Sequence, residues 1–242
     1  MKKYILFIAI MALSLSASAQ KGLHVGLIST VGPVYVVDQH LYGNSEPAHS
    51  DFKFSHQSGI QIGYNFLDNL GVFTEFNLAR LGDKRYEDFQ EEDWQREIDF
   101  DYYLIPVMLK YTSRQGNTRF FAEAGLQFGL LNKVTQTYTG EVPPEDTAWI
   151  VTPSAATATE RLNGEITDRF EDLDMTLTLT LGANVNLSQG FYLNVGMRFN
   201  GGLLDINKEE WRYVNRSGEY EMSRHIFGGL NVGLTYHIGG SK

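Results

Sequence analysis

The stretch DMTLTLTLGANVNL, residues 174–187, alternates without a break. Met175, Leu177, Leu179, Leu181, Ala183, Val185 and Leu187 fall on one side of a two-residue period. Asp174, Thr176, Thr178, Thr180, Gly182, Asn184 and Asn186 fall on the other. Successive side chains of an extended chain point to opposite sides, so this is a β-strand with one apolar and one polar face. Two folds accommodate such a strand. In a soluble sheet the leucines pack inward; in a membrane barrel they meet lipid and the threonines line the inside.

The spacing predicts eight alternating segments, near 22–37, 53–66, 71–82, 97–112, 118–138, 171–187, 190–205 and 221–238. Three connections are tight and rich in turn residues: LDNLG (67–71), SRQGN (113–117) and LSQG (187–190). The other four, 38–52, 83–96, 139–170 and 206–220, are long. Short and long connections in alternation describe an up-and-down meander whose two ends face different surroundings. Outer-membrane barrels have this form, with short periplasmic turns and longer external loops. The fold class expected is therefore all-β: a single up-and-down antiparallel transmembrane barrel of eight strands, spanning 20–242 as one domain.

The two faces differ in a way that selects the membrane. One carries Ile60, Ile62, Tyr64 and Phe66, then Ala122, Ala124, Leu126, Phe128 and Leu130, and likewise Leu230, Val232, Leu234 and Tyr236. The opposite face carries Gly59, Gln61, Gly63 and Asn65, then Glu123, Gly125, Gln127 and Gly129, then Gly229, Asn231, Gly233 and Thr235. Repeated glycine weakens a water-facing strand for no packing gain. It suits the crowded inside of a barrel of about eight strands, which is only wide enough for side chains to fill. The polar face is thus read as interior and the apolar face as lipid-facing, with Tyr64, Tyr111, Phe120, Phe191 and Tyr236 as an aromatic girdle at the short-turn ends. The alternative is a soluble lipocalin-like barrel, apolar inside, holding a small ligand.

The chain opens MKKYILFIAIMALSLSASAQ. Two lysines, an apolar run from Tyr4 to Leu15 and the small-x-small step Ala17-Ser18-Ala19 form a signal-peptide pattern, so 1–19 is expected to be removed on export. The run is short of the ~18 apolar residues of a spanning helix. The chain has no cysteine, which excludes disulfides, thiolate metal sites and a lipid-modified N-terminal Cys. With 20 Lys+Arg against 29 Asp+Glu the formal charge is −9; losing Lys2 and Lys3 leaves 18 against 29, or −11. An acidic chain is a poor partner for nucleic acid.

DYYLIPVMLKY (101–111) with RFFAEAGLQFGLL (119–131) resembles the central signature of the PorT-like outer-membrane β-barrel proteins. SGIQIGYNF and GVFTEFNLARLG resemble that family's preceding hairpin, and GLNVGLTYHIG its usual ending. The resemblance covers essentially the whole mature chain. It implies a small barrel of OmpA/OmpX type in the outer membrane. The namesake acts in protein secretion, and nothing in these residues ties the chain to that role. Outer-membrane strands often finish on an aromatic residue, whereas this chain runs past Tyr236 and Ile238 into GGSK.

By the alternation Glu75, Lys110, Glu123, Arg198 and His237 point inward from different strands. A buried charge without a partner is too costly to keep, so Glu–Lys and Glu–Arg pairs across the lumen are expected. A polar conduit or proton path and a structural plug both use such residues; the narrow lumen favours the plug. An outer-membrane lipid hydrolase is the rival class. His56 with Ser58, and Ser223 with His225, offer Ser/His pairs, but no carboxylate falls on the matching face of a neighbouring strand to complete a triad. The acidic loop 83–97 contains Glu91, Glu92 and Asp93, hard ligands that suit Ca²⁺, but lacks the Gly-punctuated spacing of a dedicated site. Trp94, Trp149 and Trp211 fall in long connections, where exposed aromatics suit partner contact. The expectation is a monomeric, non-enzymatic barrel without cofactor or metal, in contact with outer-membrane lipid. Its loops carry whatever envelope or extracellular partner it has.

Overall fold

The computed structural model describes residues 21–37, 48–89, 92–113, 116–139, 163–188, 190–212, 220 and 222–238. The expected signal peptide, Trp149 and most of the 38–52 and 139–170 connections lie outside these residues. The strands are β1 (Gly22–Val37), β2 (Ala48–Asp51), β3 (Lys53–Asn65), β4 (Leu70–Phe89), β5 (Glu92–Thr112), β6 (Thr118–Thr139), β7 (Gly164–Glu165), β8 (Leu173–Ser188), β9 (Phe191–Gly202) and β10 (Arg224–Ile238).

Eight of them close a ring, β1-β3-β4-β5-β6-β8-β9-β10 and back to β1, with every neighbouring pair antiparallel. Closure leaves the wall no free edge and pairs its backbone polar groups strand to strand, the condition for crossing lipid with strands. The register also fixes the tilt. From Met108 one path runs through Gly125, Thr178, Asn200 and Phe227 to Val34; the other runs through Phe73 and Gly63 to His24. The two arrivals on β1 differ by ten residues, 34 against 24. That stagger inclines the strands by about 40° to the barrel axis.

The stretch 174–187 faces as its alternation predicts. Leu177, Leu179 and Leu181 are 55, 41 and 51 % exposed on the outside, while Thr176, Thr178 and Thr180 are 4, 0 and 0 % exposed within. Phe191 and Tyr236 meet at 4.8 Å in the girdle at the short-turn end. The interior glycines make room for neighbours. A Cβ on Gly63 would come 2.1 Å from the Phe73 ring, which occupies that space.

The upper part of the wall differs from expectation. Residues 83–96 are not a loop: β4 runs to Phe89 and β5 starts at Glu92, paired throughout. Trp94 accordingly lies on a strand, opposite Glu87. β2 adds to the outer end of β4 at Lys84–Glu87, and β7 adds to β6 at Thr135 and Gln136. The sheet thus continues beyond the membrane as a raised wall. Its polarity inverts there. Outward residues on β4 pass from Leu78 to Arg80, and on β5 from Tyr103 to Asp101, with Arg80 Nε donating to Asp101 at 2.7 Å. Inward residues become apolar at the same height: Ala79 and Leu81 on β4, Tyr102 and Phe100 on β5. Water outside and a dry core inside reverse the pattern that lipid outside imposes. β9 is shorter than expected, ending at Gly202 rather than 205, and β10 starts at Arg224 rather than 221.

Candidate functional site: the filled lumen

The lumen has two layers. The lower one is built on a single row of the register. Lys110 pairs with Glu123, Glu123 with Thr180, and Thr180 with Arg198, so four inward side chains from β5, β6, β8 and β9 stand side by side. Arg198, fully buried, reaches across to Glu75 on β4. Nη1 donates to Oε2 at 2.7 Å and Nη2 to Oε1 at 2.8 Å, while Nε donates to Thr180 Oγ1 at 3.0 Å. The carboxylate of Glu75 also accepts from Gln61 Nε2 at 3.0 Å and Asn77 Nδ2 at 2.8 Å. Lys110 Nζ sits 2.8 Å from Glu123 and over the Phe73 and Phe121 rings at 4.8 and 4.1 Å. The contact of Arg198 with Glu123 is longer, 3.7 Å. Two cations and two carboxylates make the layer neutral, and the fork geometry of arginine suits a two-bond grip on one carboxylate.

Of the five charged residues that parity assigns to the interior, the structure brings Glu75, Lys110, Glu123 and Arg198 together. His237 stands apart. It lies at the short-turn end, where its ring stacks on His24 at 4.5 Å, and His24 in turn meets Asn65 at 3.0 Å. Parity gives a residue its face but not its height, and 237 is almost the last residue of β10.

The upper layer is apolar. Val34, Phe100, Tyr102, Leu104, Val134 and Phe227 point inward from four strands, and Ile166, Phe170 and Ile206 pack onto them from the third and fourth long connections. Those two connections are tied together by the Phe170–Asn207 bridge and by Glu171 N donating to Ile206 O at 2.9 Å. Arg169 lies over the Trp211 ring at 4.7 Å, so this tryptophan serves the closure of the end. Asp205 is a further tie, accepting from Tyr220 Oη at 2.5 Å and pairing with Arg212 at 2.9 Å. Burial, then the hydrogen bond to Asp205, pushes the Tyr220 hydroxyl up to about 12.

Sequence reasoning missed two interior pairs. Asp83 and Arg85, 2.6 Å apart, point inward at the top of the lumen but lie in a segment expected to be a loop. Asp174 on β8 meets His225 on β10 at 3.3 Å, with the Phe100 ring edge-on to the imidazole at 4.7 Å. A carboxylate for His225 therefore exists, supplied from two strands away rather than from a neighbour. It does not complete a triad: Ser223 Oγ accepts from Asn207 Nδ2 at 2.9 Å, and His225 Nε2 is buried with no partner. At the other Ser/His pair His56 faces outward, exposed, while the Ser58 hydroxyl bonds Ser29 at 2.7 Å. The acids at the foot of the 83–97 segment and just beyond it are engaged by bases, Glu97 and Asp99 by Lys53 at 3.3 and 2.8 Å. Among the described residues no three His, Asp or Glu converge on a point where a metal could sit. The side chains of 86–94 lie outside the described residues.

A closed eight-stranded antiparallel ring, apolar outward over one membrane thickness and filled within, is an outer-membrane β-barrel. The chain belongs to the outer membrane protein β-barrel domain family, whose model matches residues 5–237. Similar solved structures include Neisserial surface protein A, at 10 % identity over 90 % of this chain and 97 % of that one, with a TM-score of 0.48. The attachment invasion locus protein Ail of Yersinia pestis is 11 % identical over 90 % of this chain and 99 % of that one, TM-score 0.43. OprG of Pseudomonas aeruginosa is 10 % identical over 92 % and 99 %, TM-score 0.41. No curated protein matches the sequence significantly.

Proposed function

We propose that this protein is a closed, non-catalytic barrel that acts through its outer end. It presents the raised β2-β4-β5-β6 wall to a partner in the envelope or outside the cell. The observation that carries this reading is the double filling of the lumen. Ion pairs span its lower half, and apolar side chains held down by Ile166, Phe170 and Ile206 fill its upper half. The apolar cluster packs across the tube above the ion-paired row, whereas the wall above the membrane is long, paired and charged. Export follows cleavage after Ala19, and the narrower PorT-like kinship rests on DYYLIPVMLKY and RFFAEAGLQFGLL.

Reconstitution in planar bilayers tests the closed lumen. The native barrel is expected to show no steady single-channel current. A stable conductance in the native protein contradicts the reading and makes the charged row a conduit.

A further inference from the structure

We propose that the outside of the wall holds one phosphate-bearing lipid of the outer leaflet, its phosphate on Arg224 and an acyl chain in the hollow beside Gly201. A cavity of about 490 Å³ lies here, lined by Val37, Gly201, Met222, Arg224 and Ile226 among others. It opens on the outward face of the wall. Val37 pairs with Arg224 and Gly201 with Ile226, and on each of these strands the alternate residues, Val36, Asn200 and His225, are the ones buried in the lumen.

The hollow has a structural cause. β9 stops at Gly202 while β10 runs on to Arg224, so the wall loses a neighbour. At Gly201 a Cβ would meet nothing within 4 Å; at Gly202 it would come 2.9 Å from Arg224 Cβ, so glycine there lets the strand end close on the arginine stem.

The height suits a headgroup. On β5 the outward apolar band runs from the girdle at Tyr111 up to Tyr103, eight residue steps. Eight steps up β10 from Tyr236 reach Gly228, and Ile226 and Arg224 follow. At about 2.6 Å of height per tilted residue the band is roughly 20–25 Å tall, as in other barrels of this kind. Arg224 therefore stands just above it and Ile226 at its margin.

The charge is unanswered. Arg224 Nε is buried and has no hydrogen-bond partner, and Arg224 makes no ion pair among the described residues. The carboxylate of the segment after β9, Asp205, is already taken by Arg212 and Tyr220. A buried guanidinium N–H without an acceptor is costly. A phosphate supplies oxygens in the geometry a guanidinium binds best, and an acyl chain runs down from it past Gly201 and Ile226 to the margin of the apolar band.

Native mass spectrometry of the whole barrel, titrated with phosphatidylglycerol and with diacylglycerol of the same chains, tests this. One phosphatidylglycerol per barrel is expected, held at least about fivefold more tightly than diacylglycerol, on the strength of a charge-assisted hydrogen bond. Arg224→Gln should erase that preference. Gly201→Phe, whose side chain enters open space, should lower retention of both lipids while the protein still runs as a folded band on unheated gels. Equal retention of the two lipids by the native barrel, or an unchanged preference in Arg224→Gln, overturns the proposal. So does binding of inorganic phosphate alone with no preference between the lipids.

Discussion

Arg198 is the side chain on which the lower lumen turns. Its three donor nitrogens face Glu75 and Thr180, and Glu75 keeps two amide donors besides. Replacing it by alanine strands a carboxylate in a closed space, with an expected cost of about 3–5 kcal/mol for breaking a buried pair. The primary partner is Glu75 at 2.7 Å rather than Glu123 at 3.7 Å, so Arg198→Ala with Glu75→Ala should recover more of that loss than Arg198→Ala with Glu123→Ala. On the lipid face Leu179→Val removes one methylene and leaves no charge unpaired, and should cost less than about 1.5 kcal/mol. Urea midpoints in lipid vesicles measure all four variants. If Arg198→Ala and Leu179→Val fall together, Arg198 is not a buried ion-pair member.

At the scale of the element, the β4–β5 hairpin is the feature that most changes the external surface. Its upper arms are fully paired, and Lys53 bridges from β3 to Glu97 and Asp99. External protease should therefore spare 83–89 and 92–97 and cut first between 140 and 162, where VPPEDTAWIVTPSAATATE is rich in Pro, Thr and Ala. Early cleavage within 83–97 would mean that the paired arms open in solution. These arms were hard to read because both of their faces are polar or mixed once lipid is left behind. Asp83, Lys84 and Arg85 follow one another with no apolar period to mark a strand. Below that level the alternation is driven by two unlike environments, and the strands from Val72 to Leu78 and from Tyr103 to Tyr111 are plain in the sequence. The ion-paired row was legible as a set of inward charges, because parity survives in every strand. Its partnering was not, since Arg198 meets Glu75 across the lumen and not along a hairpin. Asp174 and His225 escaped for the same reason.

The whole molecule is a tube with two polarities stacked along its axis. Where lipid surrounds it, the outside is apolar and the inside carries the charged row; where water surrounds it, the inside is mainly the apolar cluster, with the Asp83–Arg85 and Asp174–His225 pairs, and the outside carries Arg80 and Asp101. The leucines of residues 174–187 meet lipid. The chain has no cysteine, so a single one can be placed at will. Leu179→Cys and Asp101→Cys, each carrying an environment-sensitive fluorophore, would be folded into vesicles that contain brominated acyl chains. The predicted result is strong quenching at residue 179, near the middle of the outward band, and little at residue 101, above it. Absence of quenching at 179, or equal quenching at both, would contradict a wall whose apolar face is turned to the membrane.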